Sequence, residues 1–225
     1  MKYPNIQPAI FEDRPNRFIA HCEIDGVREV CHVKNTGRCK ELLLPGAKVY
    51  VQKCGHAKRA TKYDLISVYK GEQLINMDSQ APNSVFKEWA LAGGIPGLTH
   101  IKGEVFHGSS RFDFYLEAKG HKTFVEIKGV TLEENNIALF PDAPTQRGVK
   151  HIQELCRCAE AGYDAMIVFI IQMASIQSFI PNDRTHPEFG DALRCARAQG
   201  VQLLALDCLV TPDTLEAKNP VTILL

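Results

Sequence analysis

The chain has 225 residues, 45% hydrophobic and 23% charged, and its 26 Lys/Arg balance 26 Asp/Glu for a formal net charge of zero. That length supports one large domain or two modest ones with real cores, and the apolar content excludes a disordered chain. Zero net charge excludes a uniformly basic nucleic-acid binder, but the charges are unevenly spread: residues 1–82 hold 13 Lys/Arg against 9 Asp/Glu, and residues 83–225 hold 13 against 17. The first eighty or so residues then read as short strands. RFIAHCEI alternates Phe18, Ala20, Cys22 and Ile24 against Arg17, Ile19, His21 and Glu23; a DG turn follows, then VREVCHV. PGAKVYVQ, DLISVYK and QLINMD add three more strands, and RCKELLL is a short helical candidate. Five strands in so short a stretch predict a small β-barrel rather than a sandwich.

From DSQAPNSVFKEWALAGGIPG onward the pattern changes. Asn83 or Ser84 is placed to cap a helix running to about Ala92, with Val85, Phe86, Trp89, Ala90 and Ala92 as its apolar stripe and Glu88 at the margin. Strands are predicted near 100–107, 111–116 and 123–130, then a helix over TQRGVKHIQELCRCAEAG with Thr145 as cap, and a buried strand in DAMIVFIIQM. A further helix in HPEFGDALRCARAQG leads to a last strand in VQLLALDCLV. This order predicts an α/β (α+β) unit with a mixed central sheet over residues 83–225, after a barrel over residues 1–82.

No stretch approaches eighteen apolar residues, and MKYPNIQPAI lacks a basic segment followed by an apolar core. Neither a membrane span nor a signal peptide is expected, and the setting is read as cytoplasmic. Eight cysteines without a CxxC pair are read as reduced thiols, mostly small buried residues, with a zinc set of Cys22, Cys31, His21 and His32 as the alternative.

The stretch SRFDFYLEAKGHKTFVEIKGV carries the chemistry. Side chains alternate faces with period two, so Glu126 and Lys128 share a face opposite Val125 and Ile127. With a turn centred between Lys119 and Gly120, Asp113 falls opposite Glu126 and Arg111 opposite Lys128. Two facing anions are unfavourable unless something positive lies between them. Lys128 supplies one charge. A divalent cation supplies more: two carboxylates and a backbone carbonyl such as that of Ile127 form a hard, oxygen-rich site suited to Mg²⁺ or Mn²⁺. The bland alternative is a solvated sheet face with ordinary surface ion pairs.

The D…VEIK arrangement within helix–strand–strand–strand–helix–strand resembles the PD-(D/E)XK nuclease superfamily. HVKNTGRCKELLLPG, SRFDFYLE, VEIKGVTL and FPDAPTQRGVKHIQEL together resemble the sugar fermentation stimulation protein family, SfsA, over roughly Arg17 to Val210. The resemblance implies an N-terminal OB-fold joined to a PD-(D/E)XK nuclease-like domain, DNA binding, and an association with sugar (maltose) metabolism. It implies metal-binding acids at Asp113 and Glu126, a catalytic lysine at Lys128, and a further acid on the first helix, which points to Glu88. Arg111–Phe112 stands where the eponymous proline and acid would precede the aspartate.

Around that centre, candidate nucleic-acid contacts are Arg38 and Lys40 after the Asn35–Thr36–Gly37 turn, and Lys53, Lys58, Arg59 and Lys62 in the loop QKCGHAKRATKYD. Gln146, Arg147 and Lys150 sit at the start of the second helix, where an N-terminus holds phosphate. His151 shares the face of Arg147, Lys150 and Glu154, open between a general base and a structural histidine, and a Lys150–Glu154 pair turned outward is the plain reading of that face. Sparse aromatics (Tyr50, Tyr63 and Tyr69) predict salt-sensitive binding without sequence preference, to DNA, single strands or RNA. Three functions stand at this point: a Mg²⁺- or Mn²⁺-dependent nuclease, a non-catalytic DNA-binding regulator on the same fold, and an oligosaccharide- or protein-binding OB module.

Overall fold

The structure, a computed structural model, describes residues 1–35, 37–55, 60–108 and 110–225. The N-terminal region contains β1 (Ile6–Asn16), β2 (Ile19–Ile24), β3 (Val27–Val33), β4 (Lys48–Lys53), β5 (Tyr63–Lys70) and β6 (Gln73–Asn76). They lie in the order β3-β2-β1-β4-β5-β6, and a parallel pairing of β3 with β5, from Cys31↔Tyr63 to Val33↔Leu65, closes β1 to β5 into a five-stranded barrel. Alternation drives this: Ala20, Cys22 and Ile24 point into the core, as do Cys31 and Val33.

The predicted strand number is right for the ring, but its membership differs. QLINMD supplies β6 outside the ring, and the unpredicted β1, IQPAIFEDRPN, takes its place. Two prolines mask that strand. Pro8 sits opposite Tyr50 of β4, ahead of the point at Ile10 where pairing with β2 begins, so no β2 carbonyl loses a donor. RCKELLL is not helical. Cys39 adopts φ 45°, and its carbonyl accepts from Leu42 and Leu43 in a turn that buries Cys39, Leu42 and Leu43 in the barrel core.

The second region runs α1 (Ala81–Trp89), β7 (Leu98–His107), β8 (Ser110–Ala118), β9 (His121–Val130), β10 (Leu132–Glu134), β11 (Ile137–Phe140), α2 (Gln146–Glu160), β12 (Asp164–Ile171), β13 (Ser178–Pro181), α3 (Pro187–Ala198), β14 (Gln202–Thr211), β15 (Thr214–Pro220) and β16 (Thr222–Ile223). A mixed sheet of order β15-β14-β12-β9-β8-β7 forms its centre, with β12 parallel to both neighbours. A strand flanked by parallel neighbours is covered on both faces, which explains the unbroken apolar run of β12. Val168 and Ile170 meet Val85 and Phe86 of α1, while Ile167 and Phe169 join Ile152 and Leu155 of α2 in a core that continues into the barrel. A second sheet, β10-β11-β13-β16, was not legible in the sequence; strands of two to four residues are too short to reveal a period of two.

A buried polar seam joins the barrel to the sheet. The amide of Gln172 donates to Asn76 Oδ1 at 2.9 Å and the Asp78 carbonyl at 3.0 Å, and its backbone carbonyl accepts from the Asn76 N–H at 2.9 Å. Lys34 lies between Asp78 (3.1 Å) and Asp64 (3.3 Å). Among the described residues, no helix is long and apolar enough to cross a membrane.

Candidate metal centre

The β8–β9 hairpin turns through Lys119 and Gly120, both at positive φ (50° and 83°), as a two-residue turn matched to strand twist requires. The register runs from Ala118↔His121 to Phe114↔Val125 and stops there. β8 changes sides at this point: Phe114 packs on Phe86 of α1, whereas Phe112 packs on Phe124 in the cluster beneath α2. Asp113 sits at the switch. Opposite it on β7, Glu104 adopts φ 55°, so both strands depart from regular pleating together.

The opened ladder leaves the Ile127 N–H without a β8 carbonyl, and the Asp113 carboxylate takes it, Oδ2 to N at 2.8 Å. The other Asp113 oxygen accepts from the Asn83 side-chain amide at 2.9 Å. Burial raises the Asp113 carboxyl above its usual range, and the negative charge of Glu126 adds to the rise. Glu126, 4% exposed, goes the other way: burial pushes it up, but hydrogen bonds from His151 and Lys128 outweigh that and hold it low. Lys128 Nζ donates to Glu126 Oε1 at 2.6 Å, and His151 Nδ1 on α2 meets the same oxygen. Arg147 Nε donates to His151 Nε2 at 3.3 Å, extending the chain of polar contacts to the surface. The donor chemistry suits a hard divalent cation: two carboxylates and the Ile127 carbonyl. Among the described residues no cluster of three or more His, Cys, Asp or Glu side chains forms a metal site, so any ion here would rely on that backbone oxygen and water.

Glu88 does not join this group. Its carboxylate is 59% exposed and pairs with the Met1 amino group at 2.5 Å. The buried stripe of α1 is Ala81, Pro82, Val85 and Phe86, and Glu88 lies outside it. Asn83, read from sequence as a cap, is instead the α1 residue that reaches Asp113. Its only sequence signal was the proline before it. The zinc alternative also fails: Cys22 and Cys31 are fully buried side by side, while His21 and His32 point the other way to Asp13 and Asp64.

Gln146, Arg147 and Lys150 are exposed on the first turns of α2, which Thr145 caps by accepting from Gly148 N. Gln146 meets His186 at 3.3 Å, and Glu154 pairs with Arg157 at 2.6 Å rather than with Lys150. Arg38 and Lys40 are exposed and line a cavity of about 530 Å³ with Arg14, which lies on the unpredicted β1, and Arg17. Arg14 uses both terminal nitrogens on the carbonyls of Arg17, Asn35, Gly37 and Arg38, so it holds the loop rather than a ligand. The Arg38 N–H donates to Asp142 just ahead of α2 at 3.1 Å, tying this cavity to the sheet region. Lys53 and Lys62 are exposed at the foot of the β4–β5 connection, Lys62 paired with Glu29 at 3.2 Å. Lys58 and Arg59 lie outside the described residues.

Residues 80–214 match the sugar fermentation stimulation protein RE domain, and residues 13–77 match the SfsA N-terminal OB domain. The chain belongs to the sugar fermentation stimulation protein family. It is 58% identical over 224 residues to the sugar fermentation stimulation protein homolog of Ruminiclostridium cellulolyticum, covering 99% of each chain. It is 60% identical over 223 residues to that of Desulfitobacterium hafniense, covering 99% of this chain and 98% of the other. The structure of Pyrococcus furiosus SfsA in complex with Ca²⁺ superposes with a TM-score of 0.89 at 30% identity, covering 100% of this chain and 98% of that one. The OB-like barrel followed by a mixed sheet with helices is thus the SfsA fold.

Proposed function

We propose that this SfsA protein binds DNA and hydrolyses phosphodiesters at a Mg²⁺- or Mn²⁺-dependent site built on Asp113, Glu126 and Lys128, with residues 1–82 as the nucleic-acid-binding unit and 83–225 as the catalytic one. The observation that carries this reading is the gathering of both acids and the lysine where β8 and β9 part, with Asp113 raised by burial and, after that, by its neighbour's charge. The Ca²⁺ complex of the Pyrococcus furiosus relative supports a hard divalent cation. Asp113, Glu126 and the Ile127 carbonyl would hold it, and when bound it would polarise a phosphodiester and acidify a water molecule. Lys128 lies 2.6 Å from Glu126, placed to stabilise negative charge developing on a phosphate. Arg38, Lys40, Lys53, Lys62, Gln146, Arg147 and Lys150, with Lys58 and Arg59, would hold the backbone in a salt-sensitive way. Buried free thiols at Cys22, Cys31, Cys39, Cys158 and Cys208 suit a reducing, cytoplasmic setting.

The test is incubation of purified protein with plasmid, duplex, single-stranded DNA and RNA in Mg²⁺, Mn²⁺ or EDTA. The reading requires cleavage that EDTA and Glu126→Gln both abolish. Metal-loaded protein that cuts none of these substrates refutes it. One feature favours the regulator reading instead: His151 and Lys128 already give Glu126 polar partners of its own. That reading requires DNA binding unchanged by Glu126→Gln and weakened by neutralising Arg38 and Lys40, with no turnover.

A further inference from the structure

The β7–β8 pair continues past the point where β8 leaves β9, through Val105↔Phe112 and Phe106↔Arg111 to His107↔Ser110. A two-stranded tip therefore projects from the sheet, and it begins at Asp113. One face of the tip is fixed. The His107 ring packs at 4.7 Å from Phe124 and 5.0 Å from Tyr163, and Val105 and Phe112 join the same cluster. Alternation along the strand then forces Phe106 and Arg111 onto the opposite face.

There Phe106 is 72% exposed, the most exposed large apolar side chain among the described residues. Arg111, directly across from it and 52% exposed, has a loose contact of 3.8 Å with Glu104. Residues facing each other across antiparallel strands lie ~5 Å apart, and two residues along a strand span ~7 Å. Phe106 and Arg111 thus lie across from each other, with Arg111 two residues along β8 from Asp113. An exposed phenyl ring beside a guanidinium suits a flat π-face joined to a phosphate.

We infer that Phe106 and Arg111, on the face of the sheet away from α2, form a stacking platform for an unpaired base of a strand that passes Asp113 where β8 and β9 part, so that the substrate is a single-stranded nucleic acid or a strand splayed out of a duplex. The inference rests on the proposed phosphodiesterase site for its location. Bases inside a continuous duplex already stack on one another and present no free face to the ring. A single strand presents one at every nucleotide, and such stacking tolerates any base.

The test is binding in EDTA, which removes turnover from the readout. Fluorescence anisotropy is measured with DNA and RNA oligonucleotides carrying 2-aminopurine, single-stranded and in duplex. The platform predicts preference for the single strand, with 2-aminopurine quenched on binding. Phe106→Ala loses about tenfold in single-strand affinity and most of the quenching, whereas Phe106→Trp retains both. Arg111→Gln weakens binding and flattens its salt dependence. The DNA and RNA arms decide which single strand is taken. Equal affinity for duplex and single strand, or Phe106→Ala indistinguishable from wild type, overturns the inference and leaves the phosphodiesterase reading standing. Absence of cleavage with stacking intact refutes that reading and leaves the platform.

Discussion

Asp113 accepts the backbone N–H of Ile127 at 2.8 Å, a bond that in a regular hairpin would belong to a β8 carbonyl. The side chain has replaced the ladder at the point where the ladder ends. This one contact holds an acid beside Glu126 without a neutralising partner of its own, since Asn83, its other donor, carries no charge.

If Asn83 orients the acid, Asn83→Ala should weaken Mn²⁺ binding without unfolding the protein. A hydrogen bond to a charged group is worth roughly 1.5 kcal/mol, or about tenfold in affinity. Titration calorimetry measures it directly. Unchanged affinity would show that the Ile127 N–H suffices to place the carboxylate.

The Lys34 ammonium is nearly buried between two acids that are themselves 3% and 1% exposed. Burial alone would lower its pKa, yet Asp78 and Asp64 outweigh that and raise it. Lys34→Met should therefore cost about 3–5 kcal/mol, because both carboxylates stay buried without their shared cation. Urea unfolding at neutral pH checks this. A loss below about 1 kcal/mol would mean that water or His32 takes over the charge balance.

Phe169 is fully buried, stacked on Phe179 at 4.1 Å and beside Phe140 at 5.9 Å, between the main sheet and the small one. Phe169→Ala should destabilise by about 3–5 kcal/mol through lost transfer energy and the cavity left behind. The urea midpoint should fall with little change in slope.

Glu133 is paired with Lys70 at 2.6 Å. Burial pushes its carboxyl up, but Lys70 and the Asn136 N–H prevail and hold it below the ordinary value. A group whose folded pKa is depressed adds stability above its unfolded value, near 4.3, and loses it as pH falls through the folded value. Glu133→Gln should thus be less stable than wild type at pH 7, and the gap should narrow by pH 4. An equal gap at both pH values would show that packing, not ionisation, sets the difference.

The parts of the fold legible in the sequence were those written locally. The Lys119–Gly120 turn set the β8–β9 register, the alternation of Phe112, Phe114 and Leu116 marked β8, and Thr145 marked the start of α2. What escaped was decided at a distance. β1 hides behind Pro8 and Pro15 because its pairing partners, not its own propensity, make it a strand. Glu88, at the margin of the predicted stripe, turns outward to the Met1 amino group 87 positions away in sequence, and Asn83, read as a cap, lies inside α1 and reaches Asp113. His151 was visible on its helix face, but its contact with Glu126 depends on how α2 lies over β9, 25 residues away in sequence.

The account turns on whether Asp113 and Glu126 hold a cation together. Diffraction from a Mn²⁺-soaked crystal, collected to isolate the anomalous signal of manganese, measures this directly. The account predicts one strong peak within coordinating distance of both carboxylates and the Ile127 carbonyl, lost in Glu126→Gln. A map with no peak there, while manganese binds elsewhere on the protein, would contradict it.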